Sequence, residues 1–459
     1  MRKGCAVKAG FGRYDITPKV GCELFGFGPY CNRKSAAVRD ILEARTAVFE
    51  DNGSKIAFIT CDLALVTEET AAETRKLIRE RHPEFADHEI LIHASHTHSG
   101  PNCCDLDFGW GSPEIAWLMV LPYRLREAFT ASLQNIEEVT ISQAQVPCRH
   151  IGLNRVYDVD GPPLEEVLED DWEPAKPELT DTVCRVIRID SVKTGKMTGF
   201  MAYFGCHPVI GGASSHYIHG DFSGVAMHNL MREFPGSVGL FLQGALGDVN
   251  TGCVYKPEQE ALLALDVFAA RFANAVRNGL QQAEKLEDTR IQTVSRRFPF
   301  KTGMIFTPEK IAQIREEESA VLLKPDVDES KNPPRLAAVY LRGLKMIEKL
   351  MNQKNLQLIY ELHLVRIGDL EFIGTPFEVM QAIKNDIHAA SSAKYPMLMS
   401  LCNASGGYAS DNCSIRAADK PGPAAYGAIR VPLISGQLPY SDIHNELVKY
   451  VKELEKDFQ

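Results

Sequence analysis

The chain has 459 residues, enough for a large core, and its 45% apolar and 24% charged residues are those of an ordinary soluble globular protein. Its 50 Lys and Arg against 60 Asp and Glu leave a formal charge of −10, spread along the chain, so no basic cluster recommends nucleic acid or an anionic membrane as a partner. Twelve cysteines are scattered without a CxxC, which is no disulfide framework in a chain this long. The start, MRKGCAVKAGFGRYDITP, is basic but never becomes an apolar signal core, and no stretch reads as a membrane span. The expectation is a cytoplasmic protein with reduced thiols, or a secreted one if a leader has been removed.

In chain order, SKIAFITCDLAL (54–65) reads as a strand, EETAAETRKLIRERH (68–82) as a helix of 3.6 period, and HEILIHASH (88–96) as a second strand. Residues 156–181 are acidic and proline-containing and read as a loop. GFMAYFGCHP (199–208) and VGLFLQGALGD (238–248) read as strands, and residues 258–285 as a long helix. Polar LKPDVDESKNPPR (323–335) precedes helical LAAVYLRGLKMIEKLMNQ, so residues 305–355 are expected to form a helical excursion from one domain spanning 1–459. LHLVRIGDLEFIGTP (362–376) reads as a hairpin turned at Gly368-Asp369, and PMLMSLCNASGG (396–407) as a last strand. This alternation predicts an α/β fold, a large mixed β-sheet surrounded by helices. No internal repeat or low-complexity tract interrupts it.

Chemistry-bearing residues collect just past strand ends. His96 follows EILIHAS, His207 follows FMAYFGC, Glu378 follows LEFIGTP, and Tyr408 follows LMSLCNA across Gly406-Gly407. Sheets with helical layers gather their sites beyond the carboxyl ends of strands. Two imidazoles, a carboxylate and a phenol oxygen suit Zn2+, which takes N and O ligands. In HASHTHSGPN (93–102), an extended chain would point His96 and His98 to one side and His93 to the other, making His93 structural. Each residue also has a bland reading. A lone His-x-His arises by chance, His207 can cap a strand before proline, Glu378 can serve a helix dipole, and Tyr408 can be a buried tyrosine in a turn. Asp62 and Asp221 read equally as partners orienting the histidines and as solvated loop residues.

The motifs ASHTHSGP (94–101), LNR (153–155), CHP (206–208), GDVN (247–250) and CN before Tyr408, with AGFGRYDITP near the start, occur in the order found in neutral ceramidases. The chain resembles that neutral/alkaline, non-lysosomal family and its bacterial relatives. The resemblance implies a zinc amidase catalytic domain that cleaves an N-acyl bond by attack of a zinc-bound water. It puts His96, His207, Glu378 and Tyr408 on the metal, and His98 and Arg155 near the zinc water and the substrate carbonyl. TPFE stands where the family has PGE, Asn250 stands at the serine position of GDVSPN, and Tyr426 is the candidate for a tyrosine role in the segment after Tyr408. Asn250 and Tyr426 are therefore the substrate-binding candidates. No C-terminal immunoglobulin-like domain is expected, so the substrate is expected to be a small molecule or lipid amide, with a natural substrate smaller than ceramide. A zinc esterase or lactonase of the same fold, and a binding protein that kept the motif residues for structure, are the alternatives. The sequence leaves the oligomeric state open.

Overall fold

The computed structural model describes residues 7–28, 31–104, 111–158, 161–303, 306–328, 332–351, 357–416 and 426–458. Its largest sheet uses β1 (Lys8–Asp15), β2 (Glu43–Asp51), β3 (Ser54–Cys61), β4 (Ile90–Ala94), β5 (Glu137–Pro147), β6 (Val183–Ser191), β7 (Met197–Phe204) and β8 (Val238–Gln243). The spatial order is β8-β7-β6-β5-β1-β2-β3-β4, with Glu284–Lys285 added beside β5. The outermost pairs, β8 with β7 and β3 with β4, are parallel, and the inner pairs are antiparallel.

The expected large mixed sheet is thus present, and a second sheet faces it. β9 (Ile291–Lys301), β10 (Gln357–Ile367), β11 (Leu370–Gly374) and β12 (Tyr395–Met399) form a four-stranded sheet in that order. The hairpin at Gly368-Asp369 joins β10 to β11, matching the sequence reading.

Alternation along each strand explains the layers. Ile56 and Phe58 of β3, Met201 and Tyr203 of β7, Val365 and Ile367 of β10 and Met397 and Met399 of β12 share one core between the sheets. Phe58 and Phe372 meet across it with ring centroids 4.8 Å apart. The intervening residues of the large sheet face helices α1 (Glu68–Arg81), α2 (Ile115–Leu133), α3 (Asp221–Glu233) and α4 (Glu258–Gln282). Two later helices, α5 (Pro308–Leu322) and α6 (Asn332–Met351), form a hairpin of their own. On the far side of the small sheet lie α7 (Gln381–Ala390) and α8 (Ile443–Glu455). Both sheets are buried on both faces, which is why their strands read as apolar runs with so little polar alternation.

Helix α6 begins at Asn332, inside the stretch expected to be loop, with Pro333 and Pro334 in its first turn. Proline has no N–H to lose there, and its fixed φ suits the start of a helix. The described cysteines are all free thiols, in line with the scattered spacing. Among the described residues no helix is long and apolar enough to cross a membrane.

Parallel neighbours need a crossover, and three parallel pairs have a helical one: α1 between β3 and β4, α3 between β7 and β8, and α7 between β11 and β12. Each unit delivers two carboxyl ends side by side.

Phe58 is fully buried between the sheets. Phe58→Ala should cost about 3–5 kcal/mol of stability, read as a lower midpoint in urea unfolding at unchanged slope. A loss under about 1 kcal/mol would mean that the two sheets do not share a packed core.

Candidate metal centre

The carboxyl ends of those three units bring together the histidines, Glu378 and Tyr408, while Arg155 and Tyr426 come from outside them. Two residues past β4 stands His96, with a left-handed φ of 71°. The chain then turns at His98, so the extended His-x-His expected from the sequence is not what forms. The rings meet all the same, with centroids 4.8 Å and Nε2 atoms 3.2 Å apart. A left-handed residue reverses the chain locally and brings i and i+2 together from a turn.

His207 follows β7, and its amide bonds Val249 O at 2.9 Å. Its ring lies 4.8 Å from that of His96. Glu378 and Tyr408 arrive from the small sheet. Their segments, Glu378–Val379 and Tyr408–Ala409, pair as a short parallel ladder that sets the two residues side by side. Gly247 lets this ladder approach the loop after β8, since a Cβ there would stand 2.6 Å from Glu378 O. Glu378 Oε2 lies 3.4 Å from His96 Nε2 and 3.1 Å from His207 Nε2. The Tyr408 hydroxyl lies 3.3 Å from His207 Nε2.

Two carbonyls set the protonation of this group. His96 Nδ1 is 2.5 Å from Ala64 O, and His207 Nδ1 is 2.6 Å from Leu246 O. A carbonyl only accepts, so each Nδ1 carries the proton and each Nε2 presents a bare lone pair. Burial outweighs the nearby carboxylate and pulls His207 down to about 4, so its ring is neutral near pH 7. The His207–Glu378 contact is therefore not an imidazolium–carboxylate pair. Consistent with that, Glu378 Oε2 is buried without a hydrogen-bond partner. Two Nε2 atoms and a carboxylate oxygen crowd one buried spot, and no proton lies between the carboxylate and His207. Such an arrangement is costly unless a cation sits among them. His96, His98 and His207 also form a group whose ligand atoms lie within 4.8 Å of one another, and it could hold a metal ion.

His98 differs from the other two histidines. No carbonyl fixes its tautomer, and its buried Nδ1 has no partner. Burial, then the neighbouring histidines, push its pKa well below the usual value. The Phe27 ring packs edge-on against it at 4.9 Å. Arg155 forms the facing wall. Its amide bonds Asp248 O at 3.0 Å, and its guanidinium donates to Gly247 O. Its Cζ lies 4.2 Å from the Tyr426 ring centroid and 5.2 Å from that of Tyr408. Asn250 is placed by its backbone, which pairs with Leu153 and bridges to His207.

His96, His98, His207, Glu378, Tyr408, Arg155 and Tyr426 are thus brought together, with the Asn250 backbone beside His207. His93 is excluded, as expected. It is buried within β4, where its Nε2 accepts the Gln243 amide at 2.7 Å. Residues 417–425, part of the segment after Tyr408 that departs from the family pattern, lie outside the described residues.

Asp62 and Asp221 do not orient the histidines. Asp62 accepts from Arg45 at 2.9 Å and from the Glu43 amide at 3.1 Å. Asp221 accepts the amides of Gly211 and Phe222. Backbone carbonyls do the orienting instead, and they leave no mark in the sequence. Sequence reading also missed Arg33, a 2% exposed guanidinium that donates to Phe25 O at 2.7 Å and to His98 O at 2.5 Å. Asp248 was missed too, although it sits inside the GDVN motif. It accepts the Gln381 amide at 2.8 Å and Asn154 Nδ2 at 2.9 Å, tying the LNR motif to the start of α7.

Comparison with known proteins agrees with this geometry. Residues 7–115 match the family model described as neutral/alkaline non-lysosomal ceramidase, N-terminal. The match is to the N-terminal part of the chain alone. Neutral ceramidase from Pseudomonas aeruginosa has the same fold, with a TM-score of 0.72 at 16% identity over 98% of this chain and 75% of that one. A ceramidase complexed with C2 gives a TM-score of 0.72 at 15% identity, over 98% of this chain and 76% of that one. A search of curated proteins finds no match. The histidine cluster thus stands on a fold shared across a wide gap in sequence.

The Asp62 network can be tested apart from the candidate metal centre. Arg45 is 1% exposed and is held by Asp62 and Glu43. Asp62→Asn should cost about 3–5 kcal/mol by leaving Arg45 undercompensated, while bound metal per chain stays at the wild-type value. Loss of metal at full stability would return Asp62 to the site.

Proposed function

We propose that this protein is a zinc-dependent hydrolase of N-acyl amide bonds. One observation carries the reading: Nε2 of His96, Nε2 of His207 and the Glu378 carboxylate converge in a buried site, with both Nδ1 atoms turned to main-chain carbonyls. The match of residues 7–115 to the neutral/alkaline non-lysosomal ceramidase model supports it. His96, His207, Glu378 and the Tyr408 hydroxyl are the proposed ligands, a set of nitrogens and oxygens that suits zinc. Bound there, zinc would polarise a carbonyl and lower the pKa of a water towards neutrality.

The remaining work falls to the chain's own side chains. Arg155 has no carboxylate ion-pair partner among the described residues, so its guanidinium charge is available to the carbonyl oxygen as that atom turns anionic. The Tyr408 and Tyr426 rings hold it in place. His98 has no carbonyl locking its tautomer, so it can take up a proton at Nε2 and return it to the departing nitrogen. An amine leaves only when protonated, whereas an alkoxide leaves more readily, and this proton donor favours the amide over the ester. Asn250 and Tyr426 are the proposed neighbours of the acyl group. Related proteins are described as ceramidases, so a lipid amide is the first substrate to assay, beside shorter N-acyl amines.

Metal analysis of the purified protein should find about one zinc per chain, and His207→Ala should remove it. Full occupancy in that variant would overturn the ligand set. Arg155→Ala should keep its zinc and hydrolyse an N-acyl amide ~10²–10³-fold more slowly. A wild-type rate would remove Arg155 from the mechanism.

A further inference from the structure

The helical hairpin α5–α6 lies outside the six strand ends, yet it reaches both walls of the site. One arm runs through the segment 426–435, a π-helical turn (Tyr426–Arg430) continued by Val431–Ser435. This rod packs on the hairpin in an apolar cluster of its own, which includes Ile314, Val339, Leu344, Ile429 and Leu433. Arg430 ties it further, with Glu318 of α5 at 2.5 Å and the Tyr340 ring of α6 at 4.7 Å. Gly343 of α6 sets the approach, because a Cβ there would stand 1.7 Å from Leu433 O. At the other end of the rod, Tyr426 lies on Arg155.

The second arm is Arg335 of α6. It donates to Phe27 O at 3.4 Å and to Cys31 Sγ at 2.9 Å. Phe27 has a left-handed φ of 60°, and its ring lies against His98. A side chain held in that conformation needs its surroundings to fix it. One hairpin therefore braces the rings that back His98 on one wall and Arg155 on the other.

We propose that α5–α6 is a two-armed brace that sets the width of the substrate gap between His98 and Arg155, with Gly343 and Arg335 as positioning residues. The proposal rests on those two residues handling the substrate carbonyl. A π-helical turn at Tyr426 fits the role, since such turns are frequent at functional sites.

Gly343→Ala tests it. Alanine is the better helix former, so α6 itself gains, but its Cβ must displace Leu433 and with it the rod. Hydrogen exchange of residues 426–435 should quicken at least tenfold with bound metal unchanged. The kcat/KM for an N-acyl amide should fall at least tenfold. Combined with Tyr426→Ala, it should add nothing to the loss from Tyr426→Ala alone, because both act through one ring. Additive losses, or faster exchange at unchanged kcat/KM, would overturn the brace and leave the hairpin structural. If Gly343→Ala does not fold, Arg335→Met carries the test through the Phe27 wall, with the same tenfold loss expected and a wild-type kcat/KM against it. Should the wild type hydrolyse nothing, the hydrolase reading fails on its own. The brace is then judged by calorimetric binding of hexanoate, which Gly343→Ala should weaken at least tenfold; equal affinity in both proteins would overturn it.

Discussion

Two hydrogen bonds to the main chain decide the character of this site. Ala64 O and Leu246 O each take the Nδ1 proton of a histidine, and so fix which face of each ring is bare. Without them, either ring could rotate or change tautomer and satisfy Glu378 with an ordinary N–H donor. With them, both Nε2 atoms are turned towards the carboxylate oxygen, with the His98 ring and the Tyr408 hydroxyl beside them. The electrostatic cost of that arrangement is what would suit the centre to a cation.

Those two carbonyls are where they are because of the crossovers. Ala64 lies just past β3 and Leu246 just past β8, each the parallel neighbour of a strand that delivers a histidine. Parallel pairing places two carboxyl ends together, so a side chain from one strand end finds a backbone acceptor at the next. The third unit, β11–α7–β12, repeats the plan with Glu378 and Tyr408. Face-to-face stacking of the two sheets then brings the three units to one place. Core packing between the sheets and the geometry of the site are in this sense one constraint.

Charge around the centre is arranged with similar care. Arg45 sits among Glu43, Asp62 and His228, and burial there is offset by several charged partners that hold the Glu43 carboxyl down to about 2. Arg155 and Arg33 are held differently, by carbonyl oxygens and aromatic faces. A guanidinium satisfied by neutral groups keeps its charge for whatever enters beside it. The contrast separates the arginine that holds the fold from those that border the centre.

Much of this was legible from the amino acids alone. Alternating apolar runs marked the strands, a 3.6 period marked α1 and α4, and His96, His98, His207, Glu378 and Tyr408 stood out because each follows such a run. Those signals are local, with repeats of two and 3.6 residues written into the chain. The tertiary structure decided the rest. It put a second sheet against the first, gave His96 a left-handed backbone where an extended one was expected, assigned Asp62 to Arg45, and ran a helical hairpin to both walls. It also supplied the two carbonyls that fix the histidine tautomers. Every residue has a carbonyl, so no sequence can say which one a ring will meet; only the packing of distant segments does.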